Sequence, residues 1–376
     1  MSRTIRREGA PEPLFWQVWA ASRVLLAVVL MVVIVRDRRR FSDALGNWDV
    51  QHYLTVARDG YANPQEMAFF PGLPAVLRLV AQVGVPMWLA GALFALACSA
   101  LAAWALYRMG GLVPAALWLV APTAVFTVVG YTEAPFCAAA FWAWERARRG
   151  HWFAAALLAT VACSFRVSGL FLVGALVVLA LVGDGPEGGR RRRPSRQPLQ
   201  AWWMVLPAAA LVAFSWYLHS LTGSWTAWFD AQKAGWGRGV HTPRESFEAT
   251  WRAAQTVAWP DRPRVAWVFR AELVAMATGL ATTLACLVRK RWASVAYVAV
   301  MLVAFGTSVW WMSISRAVLL WFPLFLLVGE LAARADRQRD FWRGTVVRAA
   351  VVCVFVACII ADVVWAWLYF HGDWAS

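Results

Sequence analysis

Val24-Leu25-Leu26-Ala27-Val28-Val29-Leu30-Met31-Val32-Val33-Ile34-Val35, bounded by Arg23 and Arg36, decides the fold class of this chain. It completes an apolar stretch over 14–35. At roughly 1.5 Å per helical residue, that stretch crosses a hydrocarbon core of about 30 Å. Arg3, Arg6 and Arg7 precede it. The stretch is too long for a signal-peptide core and lacks a small-residue cleavage site, so it reads as an uncleaved first helix.

Comparable runs recur along all 376 residues. The chain is 61% hydrophobic and 15% charged, with a mean hydropathy of +0.54. That balance excludes a soluble globular protein and defines an all-α polytopic membrane protein. A β-barrel would alternate apolar and polar residues, which these runs do not. The net charge of +15 comes from basic residues placed between apolar runs, so it reports topology rather than nucleic-acid binding. Lys233 and Lys290 are the two lysines among 36 basic residues. This arginine bias, with abundant Ala, Val and Trp, points to a GC-rich bacterial genome and hence to a cytoplasmic membrane. Cys98, Cys137, Cys163, Cys286, Cys353 and Cys358 all fall inside apolar runs and read as small core residues.

Basic residues orient the spans. Arg190-Arg191-Arg192-Arg193 and Arg196, in the Gly/Pro-rich loop 183–200, are assigned to the cytoplasm. The clusters within 146–149, 289–291 and 334–343 join them. Single spans are predicted near 14–35, 86–107, 112–129, 134–145, 201–219, 267–288, 292–311, 317–332 and 345–368. A hairpin of two short helices is predicted over 152–182, turning at Phe165-Arg166-Val167-Ser168-Gly169. Parity then requires that one apolar stretch before Arg108 does not cross. The stretch 71–84 is too short to span and carries Leu73, Val76, Leu77 and Val80 on one face, so it is predicted to lie in the interface. The result is about eleven transmembrane helices in a single domain over 1–376, N-terminus inside and C-terminus outside. The long external segments are 36–85 and 220–266. One misfit is that Arg36, Arg38, Arg39 and Arg40 fall outside. The capping box Thr242-Pro243-Arg244-Glu245 opens a second interfacial helix, with Phe247, Trp251, Ala254 and Ala258 on one face.

The first external segment contains Asn47-Trp48-Asp49-Val50-Gln51-His52-Tyr53, followed by Ala68-Phe69-Phe70-Pro71. A carboxylate beside Trp, His and Tyr at a membrane surface is equipped to take a proton from a sugar hydroxyl. Glu133, Arg166, the stretch 230–238 and Arg316 map to the same side, each after a helix that ends there. Charges near short or broken helices predict a polar cavity opening outward, because an Arg at a helix centre costs about 2.5–3.5 kcal/mol. The competing reading is that each charge terminates its span at the headgroups, with Asp49 capping a helix over 50–59 that Gly60 closes. Arg166 and Arg316 suit phosphate. Gln232, Trp236 and Arg238 suit a sugar. The five histidines show no metal spacing and the motif has one Asp, so no obligatory metal or other cofactor is expected. No phosphate-binding loop, nucleophile elbow or dinucleotide fingerprint is present. A nucleotide sugar is out of reach on the outer face, whereas a lipid-linked donor is not.

Taken in order, Trp48-Asp49 with Tyr53, Gly60-Tyr61, Phe69-Phe70-Pro71, Tyr131-Thr132-Glu133, Arg166 with Gly169, Gln232 with Trp236 and Arg238, and Arg316 with Phe322-Pro323 resemble the PIG-V-type mannosyltransferases. These enzymes add the second mannose of glycosylphosphatidylinositol anchors and have bacterial relatives. They belong to the C-type superfamily of membrane glycosyltransferases. The resemblance runs from about residue 14 to 333. Val50 stands where the family commonly has Gly, His52 where it has an aromatic before the Tyr, and Ala317 where an aromatic follows the late Arg. These departures bear on the acceptor and the sugar more than on the reaction class.

The resemblance implies a C-type architecture and a polyprenyl-phosphate sugar donor, with mannose as the expected sugar. The acceptor is a lipid or glycan at the outer face, and nucleic acid is not a partner. It implies an inverting displacement with Asp49 as general base. Arg166 or Arg316 would hold the departing phosphate, Glu133 and Gln232 would orient sugar hydroxyls, and Trp48, His52, Tyr53, Trp236 and Arg238 would complete the substrate site. Transfer of another polyprenyl-phosphate sugar and a lipid-linked glycan flippase or transporter remain the alternatives. The transport alternative requires polar groups reachable from both faces.

Overall fold

The computed structural model describes residues 12–183, 197–337 and 341–375. The Arg190–Arg193 cluster, Arg196 and the N-terminal arginines lie outside these. Among the described residues the chain is helical, with one isolated antiparallel bridge from Val240 to Ser308. The elements run α1 (Glu12–Asp37), α2 (Phe41–Leu45), α3 (Asp49–Asp59), α4 (Gly72–Ala81), α5 (Met87–Gly110) and α6 (Leu112–Leu119). Next come α7 (Glu133–Arg148), α8 (Trp152–Phe165), α9 (Ser168–Val182), α10 (Val205–Thr222), α11 (Ala227–Trp236) and α12 (Pro243–Ala253). The chain continues through α13 (Arg264–Val288), α14 (Trp292–Gly306), α15 (Ile314–Ala317), α16 (Phe322–Ala335) and α17 (Phe341–His371).

Five helices are long and apolar enough to cross a membrane: Glu12–Asp37, Met87–Gly110, Pro198–Thr222, Arg264–Val288 and Gly344–His371. A sixth is reached if Ile314–Leu320 and Phe322–Ala335, bent by 64°, count as one span. The expected eleven are not reached by long helices. The hairpin helices α8 and α9 have 14 and 15 residues, as their turn requires. The helix expected over 112–129 stops at Leu119, and only a 3-10 turn at Ala124–Thr127 follows before α7. The helix expected over 292–311 stops at Gly306. Hydropathy does not register these breaks, because the residues around them stay apolar while the backbone leaves the helix.

A broken helix inside an apolar bundle exposes backbone groups that need partners. Arg23, buried on α1, donates from Nη2 to the Leu119 carbonyl at 2.6 Å and from Nη1 to Thr127 Oγ1 at 2.7 Å. Asp362 on α17 is buried near Arg23, and neither of its carboxylate oxygens has a hydrogen-bond partner among the described residues. Arg23→Met is therefore expected to strand both the carbonyl and Asp362, at a cost of about 3 kcal/mol or more. A fall of several degrees in thermal unfolding of the purified protein would show it, and an unchanged midpoint would contradict it.

Small residues let the central helices approach closely. Ala95, Ala102 and Ala105 of α5, Ala140 and Ala143 of α7, and Ala155 and Ala159 of α8 are fully buried. A Cβ on Gly91 would stand 3.0 Å from the Gly130 Cα, which brings the 130–132 segment against α5.

Arg108 at the end of α5 lies 4.0 Å from Glu145, which also pairs with Arg146 and Arg149 at 2.6 Å. Arg108 thus shares an end of the bundle with the 146–149 cluster, while Asp49 and Glu133 lie at the other end. Pairing of Arg291 with Glu330 and the contact of Gly329 with Pro114 add α14 and α16 to the basic end. Two of the misfit arginines, Arg36 and Arg39, are engaged at the site end. Arg39 donates to the Phe370 carbonyl at 2.7 Å, and the Arg36 guanidinium lies over Trp367. Helix α4 buries Leu73 and Leu77, half-buries Val76 and Val80, and leaves Arg78 exposed. Helix α12 carries the full capping box, with Glu245 N–H donating to Thr242 Oγ1 and Thr242 N–H donating to Glu245.

Candidate functional site

At the end opposite the basic clusters, a cavity of 460 Å³ gathers side chains from seven stretches of the chain. Trp48, Asp49, Tyr53, Arg166, Gln232, Trp236, Arg238 and Arg316 all line it. Glu133 and His52 do not, and each has a different setting.

Asp49 is the first residue of α3, not its cap. Trp48 holds the capping position, with φ 56° and ψ −125° and no side-chain cap. A bulky residue in that region is strained by about 1–3 kcal/mol and is held there by its surroundings. Trp48 Nε1 donates to the Asp373 carbonyl at 3.0 Å, and the neighbouring Asn47 donates to the Tyr369 carbonyl at 2.7 Å. The turn brings the Asp49 carboxylate to the cavity at the positive end of α3. Its amide donates to Tyr131 Oη at 3.2 Å, and its Oδ2 accepts from Arg316 Nη1 at 3.1 Å.

Arg316 is positioned by an unusual local fold. Its second nitrogen donates to Ser313 Oγ at 2.8 Å, and the guanidinium lies over Phe126 and Tyr131, with about 5 Å to each ring centre. Ser313 sits at φ 66° and opens α15. The three first amides of that turn, from Ser313, Ile314 and Ser315, donate to the carboxylate of Glu272 at 3.0, 2.7 and 2.9 Å. Glu272 is fully buried in the middle of α13. An ionised carboxylate accepting several amide bonds is a strong, geometrically demanding anchor. Sequence reading missed Glu272. The signal was a lone acidic residue inside an apolar span, which marks a functional or positioning group by default.

Glu133 is fully buried and does not reach the cavity. It accepts from Arg166 Nη1 at 2.8 Å and lies 3.8 Å from Arg316 Nη1. The carboxylate expected to orient sugar hydroxyls is paired with two arginines here. Arg166 also donates to Thr132 Oγ1 at 3.0 Å, and Thr132 shares a hydrogen bond with Tyr53 Oη at 3.2 Å. The hairpin that presents Arg166 depends on Gly169, since a Cβ there would stand 2.6 Å from the Cys163 Cα.

His52 is drawn away from the cavity. Its ring stacks on Phe69, contacts Trp236, and pairs through Nδ1 with buried Glu66 at 3.2 Å. It braces the Phe-Phe-Pro turn against α11. Trp228 of α11 donates to the Ala68 carbonyl at 3.2 Å, and Gln232 approaches the same oxygen at 3.5 Å. Helix α11 ends at Gly237, φ 62°, after which Arg238 enters the cavity wall.

Around the cavity, Arg166, Arg238 and Arg316 face Asp49 and Glu133, with Glu272 close behind, so three cations meet three carboxylates. The buried Nε atoms of Arg238 and Arg316 have no protein partner. Burial and the nearby Arg316 push the Arg238 guanidinium down to about 10, so it stays cationic at neutral pH. Burial, reinforced by the charge of Asp49, pushes the phenols of Tyr53 and Tyr131 up, and both remain neutral. The chemistry available is a carboxylate, two neutral phenols and three arginines able to hold an anion. Among the described residues no three His, Cys, Asp or Glu side chains converge on a metal position.

Part of this chain is similar to known proteins. It is 34% identical over 152 residues to GPI alpha-1,6-mannosyltransferase 2 of Mus musculus, covering 35% of this chain and 31% of that protein. The Homo sapiens protein of that name is 33% identical over 154 residues, with the same shares. GPI mannosyltransferase 2 of Chaetomium globosum is 33% identical over 123 residues, 26% of each chain. The match therefore spans about a third of these curated relatives or less. No family model matches. Among solved structures, an Archaeoglobus fulgidus oligosaccharyltransferase superposes with a TM-score of 0.48 at 11% identity, over 95% of this chain and 55% of that one.

Proposed function

We propose that this chain is a membrane glycosyltransferase that moves a mannosyl residue from a polyprenyl-phosphate donor to a lipid-anchored or glycan acceptor at the outer face of a bacterial cytoplasmic membrane. One observation carries the reading. A single chain of ion pairs runs from Asp49 to Arg316, Glu133 and Arg166, lining or underlying one cavity. It places a base and three arginines within one substrate's reach. The partial similarity to GPI mannosyltransferases supports the choice of sugar.

In the proposed step the acceptor hydroxyl oxygen attacks the anomeric carbon of the donor while Asp49 takes its proton. The bond from that carbon to the phosphate oxygen breaks, and polyprenyl phosphate leaves with the electron pair. Arg166, Arg238 and Arg316 neutralise the charge that develops on it. The carbon inverts. Arg316 joins the two ends of the reaction: as its guanidinium turns to the phosphate, it loosens its hold on Asp49 and frees the carboxylate to act as base. Glu133 keeps Arg166 and Arg316 in place, Tyr53 and Gln232 offer hydrogen bonds to the sugar, and Trp48 and Trp236 close the walls.

Purified protein supplied with radiolabelled polyprenyl-phosphate mannose and a total lipid extract tests the reading. Label is expected to move to a new lipid or glycan. No transfer from mannose-, glucose- or arabinose-charged carriers by folded protein would overturn it in favour of transport.

A further inference from the structure

The arginines account for only part of the cavity wall. Three indoles from distant segments, Trp48, Trp310 and Trp374, line it as well. Trp310 and Trp374 both pack on Phe269 of α13, at ring distances of 5.7 and 5.2 Å. Trp48 joins them through its hydrogen bond to the carbonyl of Asp373, the residue before Trp374. The buried Nε1 of Trp310 has no protein partner.

The segment 372–375 is fastened there by contacts on every side. Gly372 at φ 80° reverses the chain after α17. The Asp373 amide donates to the Leu368 carbonyl at 3.0 Å, and its carboxylate takes a hydrogen bond from Arg264 at 2.6 Å. Trp365 Nε1 donates to the Ala375 carbonyl at 2.9 Å. Several hydrogen bonds thus hold an indole against a substrate cavity. The bonds alone would stabilise the segment equally well with a small side chain in place of Trp374.

We infer that Trp48, Trp310 and Trp374 form the acceptor subsite, and that it takes a polyhydroxylated ring, a sugar or cyclitol carried on a lipid. The inference rests on the transfer reading above. Such a ring presents a C–H face with partial positive charge, which matches the negative face of an indole. The hydroxyl next to Asp49 is the nucleophile. A phosphate is better held by the arginines. The donor phosphate and the acceptor ring therefore occupy different walls of one cavity.

The test separates the two Michaelis constants in detergent micelles. Radiolabelled polyprenyl-phosphate mannose is the donor, with phosphatidylinositol and octyl α-mannoside as alternative acceptors that distinguish a cyclitol from a sugar. Trp374→Ala is expected to raise the KM of the preferred acceptor about tenfold and to leave the donor KM within about twofold. Trp374→Phe keeps a ring and is expected to restore most of the affinity. Trp374→Leu keeps bulk without a π face and is expected to resemble Ala. If Trp374→Ala fails to fold, the Phe and Leu variants decide the question. Equal KM values for Phe and Leu, or a parallel rise in both constants, would overturn the subsite. Wild-type transfer from the total lipid extract but to neither ring acceptor would overturn the ligand class while leaving the transfer reading intact. Absence of any wild-type transfer would fail the transfer reading itself.

Discussion

Asp49→Asn is expected to lower the transfer rate by roughly 10²–10⁴-fold while the protein stays folded. The change removes one charge and almost no volume. The amide oxygen can still accept from Arg316, so the contact at 3.1 Å and the strained turn at Trp48 are kept. What is lost is a group able to take a proton from the acceptor hydroxyl. The effect belongs in kcat more than in either KM, because the base acts in the transition state. Initial rates with labelled donor, beside thermal unfolding of both proteins, make the measurement. Wild-type turnover by the variant would remove Asp49 from the mechanism.

Arg316→Met is expected to lower turnover by roughly 10²–10³-fold, the usual effect of deleting one group that stabilises developing charge. Two consequences combine. The leaving phosphate loses a cation, and Asp49 and Glu133, 3.1 and 3.8 Å from the lost nitrogen, lose a shared partner. Arg316→Lys keeps the charge but not the planar fork that reaches Asp49 and Ser313 together. It is expected to recover only part of the rate. The comparison tests the coupling role: if Lys restored full activity, charge alone would suffice and the forked contact would be incidental. Full activity in the Met variant would assign the phosphate to Arg166 and Arg238.

The apolar runs were legible because a bilayer demands long uninterrupted hydrophobicity. Glu12–Asp37, Met87–Gly110 and Gly344–His371 follow directly from composition. Turn chemistry was legible too. Gly60 closes α3, and Thr242 with Glu245 opens α12. Most of the residues singled out as polar on one side converge on one cavity, because a charge that interrupts an apolar chain has few places to go. The interruptions at Leu119, Gly306 and Trp321 were not legible. Each is stabilised by a partner far away in sequence, such as Arg23 for α6 or Glu272 for α15. No local pattern encodes such a pairing.

Within the site, the division follows the same line. The sequence alone determined which side chains bring charge, aromatic rings and hydrogen bonds to one end of the bundle, since residue type and position relative to the spans are local properties. It also determined that the chain is a helical membrane protein. Only the tertiary structure decided which of those groups meet a substrate. Glu133 is closed in behind two arginines, His52 is turned toward Glu66, and Trp374 is carried from the end of α17 to the cavity through Asp373. Burial and partnership are set by packing between segments 14 to 325 residues apart, and that packing is a property of the whole fold.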